Sequence, residues 1–378
     1  MPAGRPLPRR RSRWFAAVAL APVLALTATA AHAQGAWLTL PDLPTARYGP
    51  ASATAPCPEG VEGLRGNCVY ALGGRIGSEA QNAVEAYSPS TNAWKKLRGL
   101  PTARYAPTAA TAPCPKDIAG LKGICVYAIG GRIGSDDVST VEAYSPATNT
   151  WKALPALPAA RSFAAAATAP CPKDVVGLRG ICVYAVGGGF SDTVTAYSPA
   201  TNMWQTLPSL DAPRDAPAAA TAPCPKGVKG LHGTCVYATG GFDINTEEVL
   251  SSVEAYSPAT NTWTTLTSLD TRRVAHAGAS APCPEGVEGL KGICVYAVGG
   301  FNFTDEVLNS VEAYSPATDT WRTLHSLPTA RFELAGTSAP CPKDTRGLNG
   351  ICVYALGGAS GFPHNALSTA EAFAVGER

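Results

Sequence analysis

Short apolar runs closed by a pair of glycines recur along the chain, as in Cys125-Val126-Tyr127-Ala128-Ile129-Gly130-Gly131. Segments of alternating apolar and polar positions lie between them, as in Val141-Glu142-Ala143-Tyr144, which stops at Ser145-Pro146. Alternation, β-branched residues and punctuation by Pro, Gly and Asn predict strands, and no segment keeps a helical period for long. The glycine pairs stand at Gly73-Gly74, Gly130-Gly131, Gly187-Gly188, Gly240-Gly241, Gly299-Gly300 and Gly357-Gly358, at spacings of 57, 57, 53, 59 and 58 residues. Trp37, Trp94, Trp151, Trp204, Trp263 and Trp321 keep step with them. A repeat of this length decides the architecture before any single residue does.

Each unit reads as four strands. The first is rich in small residues (Ala164 to Thr168), the second is the apolar run, the third alternates, and the fourth runs from Trp151 to Leu154 after the turn Ala147-Thr148-Asn149-Thr150. A lone four-stranded sheet leaves two faces uncovered, whereas six sheets stacked around an axis bury both. The expected fold is all-β: a six-bladed β-propeller of four-stranded antiparallel blades. Ala and Gly in the first strand suit the crowded axis, and Trp and Tyr suit the diverging outer wedge. The mature chain starts with a fourth strand, Trp37-Leu38-Thr39-Leu40, and ends with a third, Ala370-Glu371-Ala372-Phe373. Together they are expected to complete the sixth blade and leave no open edge. Repeats are placed near 47–103, 104–160, 161–213, 214–272, 273–330 and 331–378 with 34–46, so that 34–378 forms one propeller.

Composition narrows the setting. Apolar residues make up 46 % of the 378 positions, enough to bury a core, which excludes intrinsic disorder. The first 33 residues carry five Arg and no acid, which leaves 25 basic against 28 acidic residues in the remainder. No strongly basic surface follows, so nucleic-acid binding is disfavoured. Arg5 to Arg13, the apolar stretch Trp14 to Ala31 and the motif Ala31-His32-Ala33 read as a signal peptide, residues 1–33, cleaved near Ala33. The expected product is a soluble monomer, secreted or periplasmic, with no membrane insertion once the signal is removed.

Twelve cysteines form six pairs, each separated by eleven positions and each bracketing one loop at the mouth of a predicted hairpin. The repeat favours disulfides within each unit: Cys57/Cys68, Cys114/Cys125, Cys171/Cys182, Cys224/Cys235, Cys283/Cys294 and Cys341/Cys352. Loop closure gives each up to about 3 kcal/mol. Zinc sites need ligands two to four apart in paired clusters, so no metal site and no cofactor is expected.

Loops joining strands one to two and three to four share one face of a propeller; the remaining loops share the other. The cysteine-bracketed loops crowd the first face, so an asymmetric site is expected on the second. There an arginine stands ten residues before each first cysteine: Arg47, Arg104, Arg161, Arg214, Arg273 and Arg331. Two readings apply. Six guanidiniums around the central opening would clamp carboxylates or sulfates. Alternatively they are scaffold parts paired with Glu85, Glu142, Glu254, Glu312 and Glu371, which leaves Arg161 the freest because Thr195 stands at that position in the third unit. Positions that break the repeat add Tyr48, Tyr105, Asp215, His276 and Glu333 as candidate ligand-binding residues, with Arg75, Arg132, Asp243, Asn302-Phe303 and His364 after the glycine pairs. Aromatic rings beside carboxylates or arginines suit sugar or peptide recognition. Asn302-Phe303-Thr304 also fits a glycosylation sequon, of consequence only in a eukaryotic secretory host.

Three features together resemble the kelch repeat: Gly-Gly after an apolar strand, the run Tyr144-Ser145-Pro146-Ala147-Thr148-Asn149-Thr150-Trp151, and a Leu-Pro…Arg ending. The resemblance covers residues 35 to about 375 and implies a kelch-type propeller; the cysteine-bracketed insert between first and second strands departs from the ordinary tight turn. No segment resembles the adaptor domains of intracellular kelch proteins. Serine-hydrolase, zinc-protease and phosphate-loop motifs are absent, as is the unpaired cysteine that a copper-radical oxidase requires. The first expectation is therefore a non-catalytic extracellular binding module for a protein or glycan of unknown identity. The alternative is an exported enzyme similar to those that interconvert sialic-acid anomers, which would draw on Arg161, Asp215, His276 and Glu333.

Overall fold

A computed structural model describes residues 35–304, 306–343 and 350–375, together with Gly4. The signal segment read from the sequence lies, Gly4 apart, outside the described residues. Every regular element among the described residues is a strand. Six four-stranded antiparallel sheets follow one another, and the second shows the pattern: Thr108–Pro113, Ile124–Ile129, Val141–Ser145 and Thr150–Leu154. Its register runs Thr108↔Ile129, Val141↔Ile129 and Val141↔Leu154, so alternate side chains point into the two wedges beside the blade. The sixth blade takes Ala36–Thr39 as its outer strand, paired Trp37↔Phe373 and Leu38↔Ala372, which closes the circle as expected.

The second and third strands lose solvent on both faces because each wedge is filled from two blades. Val126 and Tyr144 of blade two pack with Ala53 and Tyr70 of blade one, and Tyr87 of blade one packs with Cys352 and Tyr354 of blade six. The outer-strand tryptophans work at the wide end of each wedge. Every indole N–H donates to a carbonyl of the preceding blade, from Trp94 to Pro41 round to Trp37, which bonds His325 at 2.9 Å across the closure.

The six disulfides join Cys57 to Cys68, Cys114 to Cys125, Cys171 to Cys182, Cys224 to Cys235, Cys283 to Cys294 and Cys341 to Cys352, with Cα atoms 4.8–4.9 Å apart. Their placement bears out the pairing within each unit, with each bridge closing the loop between first and second strands. The second of each pair, Cys68, Cys125, Cys182, Cys235, Cys294 and Cys352, sits inside the second strand, one residue past its start, and is fully buried. Each is part of its blade's apolar core, with Cys68 beside Ala55 and Tyr70, Cys182 beside Tyr184, Cys235 beside Tyr237 and Cys294 beside Tyr296. These sulfurs fill core volume as well as close a loop, and they offer no surface to a ligand. The disulfide loops share a face with the turns between strands three and four: in blade one Ser88 Oγ and Thr91 Oγ1 donate to carbonyls of Arg65 and Gly63 inside the cysteine-bracketed loop.

At the opposite end of each blade the glycine pair forms the joint. The second glycine donates its N–H to the carbonyl of the next blade's arginine at 2.8–3.0 Å, and Gly358 bonds Arg47 to complete the ring. The first glycine has φ near +60°, and a Cβ there would meet the same arginine carbonyl; at Gly130 the distance to Arg161 O would be 2.3 Å. Gly134, four residues on, has the same φ of +60° but nothing within 4 Å. The two positions separate steric contact from backbone strain. Gly130→Ala is expected to cost about 3 kcal/mol or more and Gly134→Ala about 1 kcal/mol, read as thermal unfolding midpoints; equal losses would show that close approach of the blades contributes nothing.

Candidate binding site on the loop face

The six arginines are the first candidates the structure relocates. All are buried, none is more than 3 % exposed, and none lines the central pocket. Arg47, Arg214 and Arg331 meet Glu85, Glu254 and Glu371 at 2.7 Å, and Arg104 and Arg273 pair with Glu142 and Glu312. From Arg104 onward Nη1 also donates to two carbonyls, the first glycine of the pair and the residue before the third strand. This corrects the picture of guanidiniums around an open mouth. A buried cation persists where hydrogen bonds and opposite charge replace its water, and these do so inside the blade. Burial pulls Arg104 and Arg273 below the ordinary arginine range, and the glutamates partly restore them.

Two residues after each arginine, the chain turns through a left-handed residue: Gly49, Ala106, Phe163, Ala216, Ala275 and Glu333, all with φ between 46° and 59°. Each donates its N–H to the carbonyl of its counterpart in the preceding blade, 2.8–3.1 Å apart, and Gly49 to Glu333 closes a ring of six bonds around the axis. Gly and Ala dominate because a left-handed backbone penalises larger side chains. Phe163 and Glu333 are the exceptions. Both help line a central pocket of about 130 Å³ whose wall takes one short segment from each blade, with Ser52, Thr108, His276 and Glu333 as its polar side chains.

The remaining candidates fall around this rim. Glu333 accepts the phenolic proton of Tyr105 and lies 3.7 Å from His364 Nε2. Burial first, then Glu333, pushes the Tyr105 phenol far up, so it stays protonated as a donor. Tyr48 is buried, donates to Gly77 O at 2.8 Å and stacks on His364 with centroids 4.8 Å apart. His276 is buried with Nε2 2.9 Å from Thr239 Oγ1, and Nδ1 has no partner among the described residues. Burial, with Arg273 and Arg214 behind it, holds this imidazole well below the ordinary histidine range and therefore neutral. Thr239 occupies a position that is Leu72, Ile129 or Val186 in the first three blades, so the polar pair replaced an apolar contact. Of the four residues assigned to the enzyme alternative, His276 and Glu333 line the pocket, whereas Arg161 and Asp215 do not.

The loops between second and third strands carry a feature that the sequence reading missed. Four of them form two-stranded hairpins, such as Arg132–Ile133 with Asp136–Asp137, and bridges such as Tyr105↔Arg132 bind them to the adjoining loop. Each of the six loops lifts one apolar side chain into solvent: Ile76, Ile133, Phe190, Ile244, Phe303 and Phe362, from 41 to 59 % exposed. On the side of blades four to six they merge into an aromatic patch. Phe303 touches Phe242 and Phe301 at 5.1 Å, and Phe362 stacks on Phe332 at 4.9 Å and meets Phe301 at 5.2 Å. Across the face, Arg75 lies over the Tyr105 ring and Arg132 over Phe163, at 5.4 and 5.7 Å. Arg132 is paired with Asp137, and Arg75 has no ion pair among the described residues.

The kelch motif matches this chain at residues 65–101, 125–158, 230–269 and 294–328, in blades one, two, four and five. The Kelch-like protein terF of Aspergillus terreus is 25 % identical over 303 residues, covering 76 % of this chain and 59 % of that protein. Kelch-like protein 36 of Mus musculus is 26 % identical over 295 residues, covering 72 % and 41 %. The chain thus spans roughly half the length of these relatives. A solved structure titled "Structure of YjhT" is similar with a TM-score of 0.59 over 88 % of this chain and 95 % of that one, at 14 % identity, a likeness of fold alone. The chain thus carries kelch motifs in four blades, is similar to Kelch-like proteins, and folds as a six-bladed β-propeller with a disulfide in every blade.

Asp215, which bridges to Phe242 at the base of the blade-four loop, has a carboxyl whose state depends on pH. Burial raises its carboxyl to about 6, with the amides of Phe190 and Gly189 and the charge of Arg132 offsetting part of that and Asp137 adding to it. An acid whose folded value exceeds its unfolded one destabilises the fold where it is ionised. The penalty is absent below pH 4, grows as pH rises, and is complete above pH 6. Asp215→Asn is therefore expected to be more stable than wild type at pH 7.5, by up to about 2 kcal/mol, and equal to it at pH 4. Melting curves of the pair across that interval check this, and a pH-independent difference would contradict it.

Proposed function

We propose that this protein is an exported binding module that docks a protein partner on the face carrying the second-to-third-strand loops. Export is supported by the basic and apolar leader before Gln34 and by six disulfides, which belong to oxidising compartments. No helix among the described residues is long and apolar enough to cross a membrane.

The observation that carries the docking assignment is the phenylalanine patch. Phe303 and Phe362 are 59 % and 57 % exposed while packed, edge-on to Phe301 and stacked on Phe332, against neighbours that are themselves buried, which fixes their orientation. Pre-oriented aromatic side chains at the centre of a face lose little entropy on binding and bury large area. Exposed apolar residues on the opposite face include Ile124, Ile181 and Ile293, each 38 % exposed beside a disulfide at one repeated position, and Val176, 90 % exposed within a disulfide loop. Bare phenyl rings without a hydroxyl or indole N–H favour apolar protein side chains over sugar hydroxyls. The kelch propeller is in general an interaction module, and the relatives' names add no ligand for this chain. The enzyme alternative draws on Arg161, Asp215, His276 and Glu333, of which His276 and Glu333 line the central pocket and Arg161 and Asp215 do not.

The test uses the exported fraction of the producing cells and a glycan array, probed with the wild type, a Phe303→Ser/Phe362→Ser double variant and a Val176→Ser control on the other face. The expected result is at least one exported protein retained by wild type and control, with affinity lowered about tenfold or more in the double variant and unchanged melting. Retention indifferent to the double variant, or a glycan signal lost with it, would overturn the assignment to a protein partner.

A further inference from the structure

Blade three breaks the arginine circuit. Arg161 is seated as its counterparts are: Nη1 donates to Gly187 O at 3.2 Å and to Thr193 O at 3.0 Å, where Arg104 bonds Gly130 and Thr140 and Arg214 bonds Gly240 and Ser252. The guanidinium plane is thereby fixed, and Nη2 faces the place where Arg104, Arg214, Arg273 and Arg331 each meet a glutamate carboxylate. In blade three that carboxylate is missing. Thr195 takes its place in the same register, between Ala185 and Thr206, as Glu142 lies between Ala128 and Ala153.

Three donors are left facing the gap. Arg161 is 3 % exposed and, among the described residues, makes no ion pair and has no hydrogen-bond partner for Nε or Nη2. Thr195 Oγ1 is fully buried and unpartnered among the described residues. The amide of Ala159 aligns with that of Thr271, which donates to Glu312 in blade five, and Ala159 itself is exposed. No acid offsets the burial of this arginine, which lowers it from the ordinary value. A buried, geometrically fixed cation without a counter-charge, ringed by hydroxyl and amide donors, is an anion site.

We infer that blade three binds a small monovalent anion, a simple carboxylate such as formate or acetate or a halide, between Arg161, Thr195 and Ala159, in the place that a glutamate carboxylate fills in the other blades. The anion completes the circuit in trans. This inference is independent of the docking assignment, because the site lies inside a blade and shares no residue with the phenylalanine patch.

The experiment compares melting of the exported protein in sodium formate, acetate and chloride with melting in the salt of a bulky sulfonate at equal ionic strength. Wild type is expected to gain about 2 °C or more, saturably, in the small anions. Thr195→Glu, which supplies the carboxylate covalently, is expected to melt higher in the sulfonate and to lose the dependence. Arg161→Met, a second variant should the first not fold, is expected to be insensitive to the anion. Crystals grown in bromide are expected to show anomalous density within hydrogen-bond distance of Arg161 Nη2. A wild-type midpoint indifferent to the anion, an equal dependence in wild type and variants, or bromide crystals with no density at Arg161 would each overturn the inference.

Discussion

The carbonyl of one arginine per blade, gripped by the second glycine of the preceding blade, is the contact on which the wheel depends. A propeller closes only if every sheet is set at the same angle to its neighbour, and a main-chain bond of 2.8–3.0 Å repeated six times sets that angle without regard to side-chain size. Bringing two backbones so close requires glycine, because a Cβ on Gly73, Gly130 or Gly299 would lie 2.7 Å or less from the carbonyl it faces. The same arginine then turns its guanidinium back into its own blade and ties the glycine pair to the third strand through Nη1. One residue thus joins blade to blade by its backbone and strand to strand by its side chain. Its charge is incidental to the geometry but costly to bury, which is why a glutamate accompanies it in five blades out of six.

Much of this was legible in the sequence because repetition multiplies weak signals. Strand types, blade count, closure by the termini and disulfide pairing each rested on six copies, and errors in one copy were outvoted by the others. The second cysteine was legible as part of the second strand, because Cys125 opens the run Cys125-Val126-Tyr127-Ala128-Ile129, and its complete burial follows from blades packing on both faces of that strand. The arginines were legible as a ring, and their partner glutamates were visible too, but a residue present in every blade reads the same whether it serves a ligand or the frame. Only burial separates those readings, and burial depends on the glycine joint, whose close approach no pattern of hydrophobicity records. The apolar loop tips were hidden for a different reason. Ile76, Ile133 and Phe190 stand two residues after the glycine pair, Ile244 and Phe303 three, and Phe362 four, so no fixed offset aligns them. The rings of blades four to six meet because bridges such as Val274↔Phe301 and Phe332↔Ala359 anchor those loops at their bases, whatever their length.

Departures from the repeat come in compensating sets. His276 enters blade five together with Thr239 in blade four, and the pair hydrogen-bonds where other blades bury aliphatic carbon. Glu333 adopts a left-handed backbone, and it is held there by Tyr105, which reaches from blade two past Gly49 of blade one. Blade three changes most: its loop lacks the hairpin, Thr195 replaces glutamate, and the kelch motif does not match it. A residue that loses its partner in a buried network is destabilising unless something else supplies the missing charge.

Each blade is clamped at both ends by different chemistry. At one end a disulfide closes the loop between first and second strands, and the turn between third and fourth hydrogen-bonds onto it. At the other, the buried arginine and the glycine joint hold the strands, and the loops beyond them bury their bases in a separate apolar cluster while exposing their tips. Stability is therefore stored below the loop face, and changes in the tips have little effect on the frame. The disulfide face shows the reverse economy: its loops keep length and sequence from blade to blade, because each must place two sulfurs within bonding distance. A surface tied so tightly to its own covalent geometry can vary little, and recognition falls to the face whose anchors are main chain and whose side chains are unconstrained. The phenylalanine patch occupies that face, on the side where the loops are longest. Long loops supply the reach that brings rings from three blades into mutual contact, and mutual contact keeps them in place while they remain open to solvent.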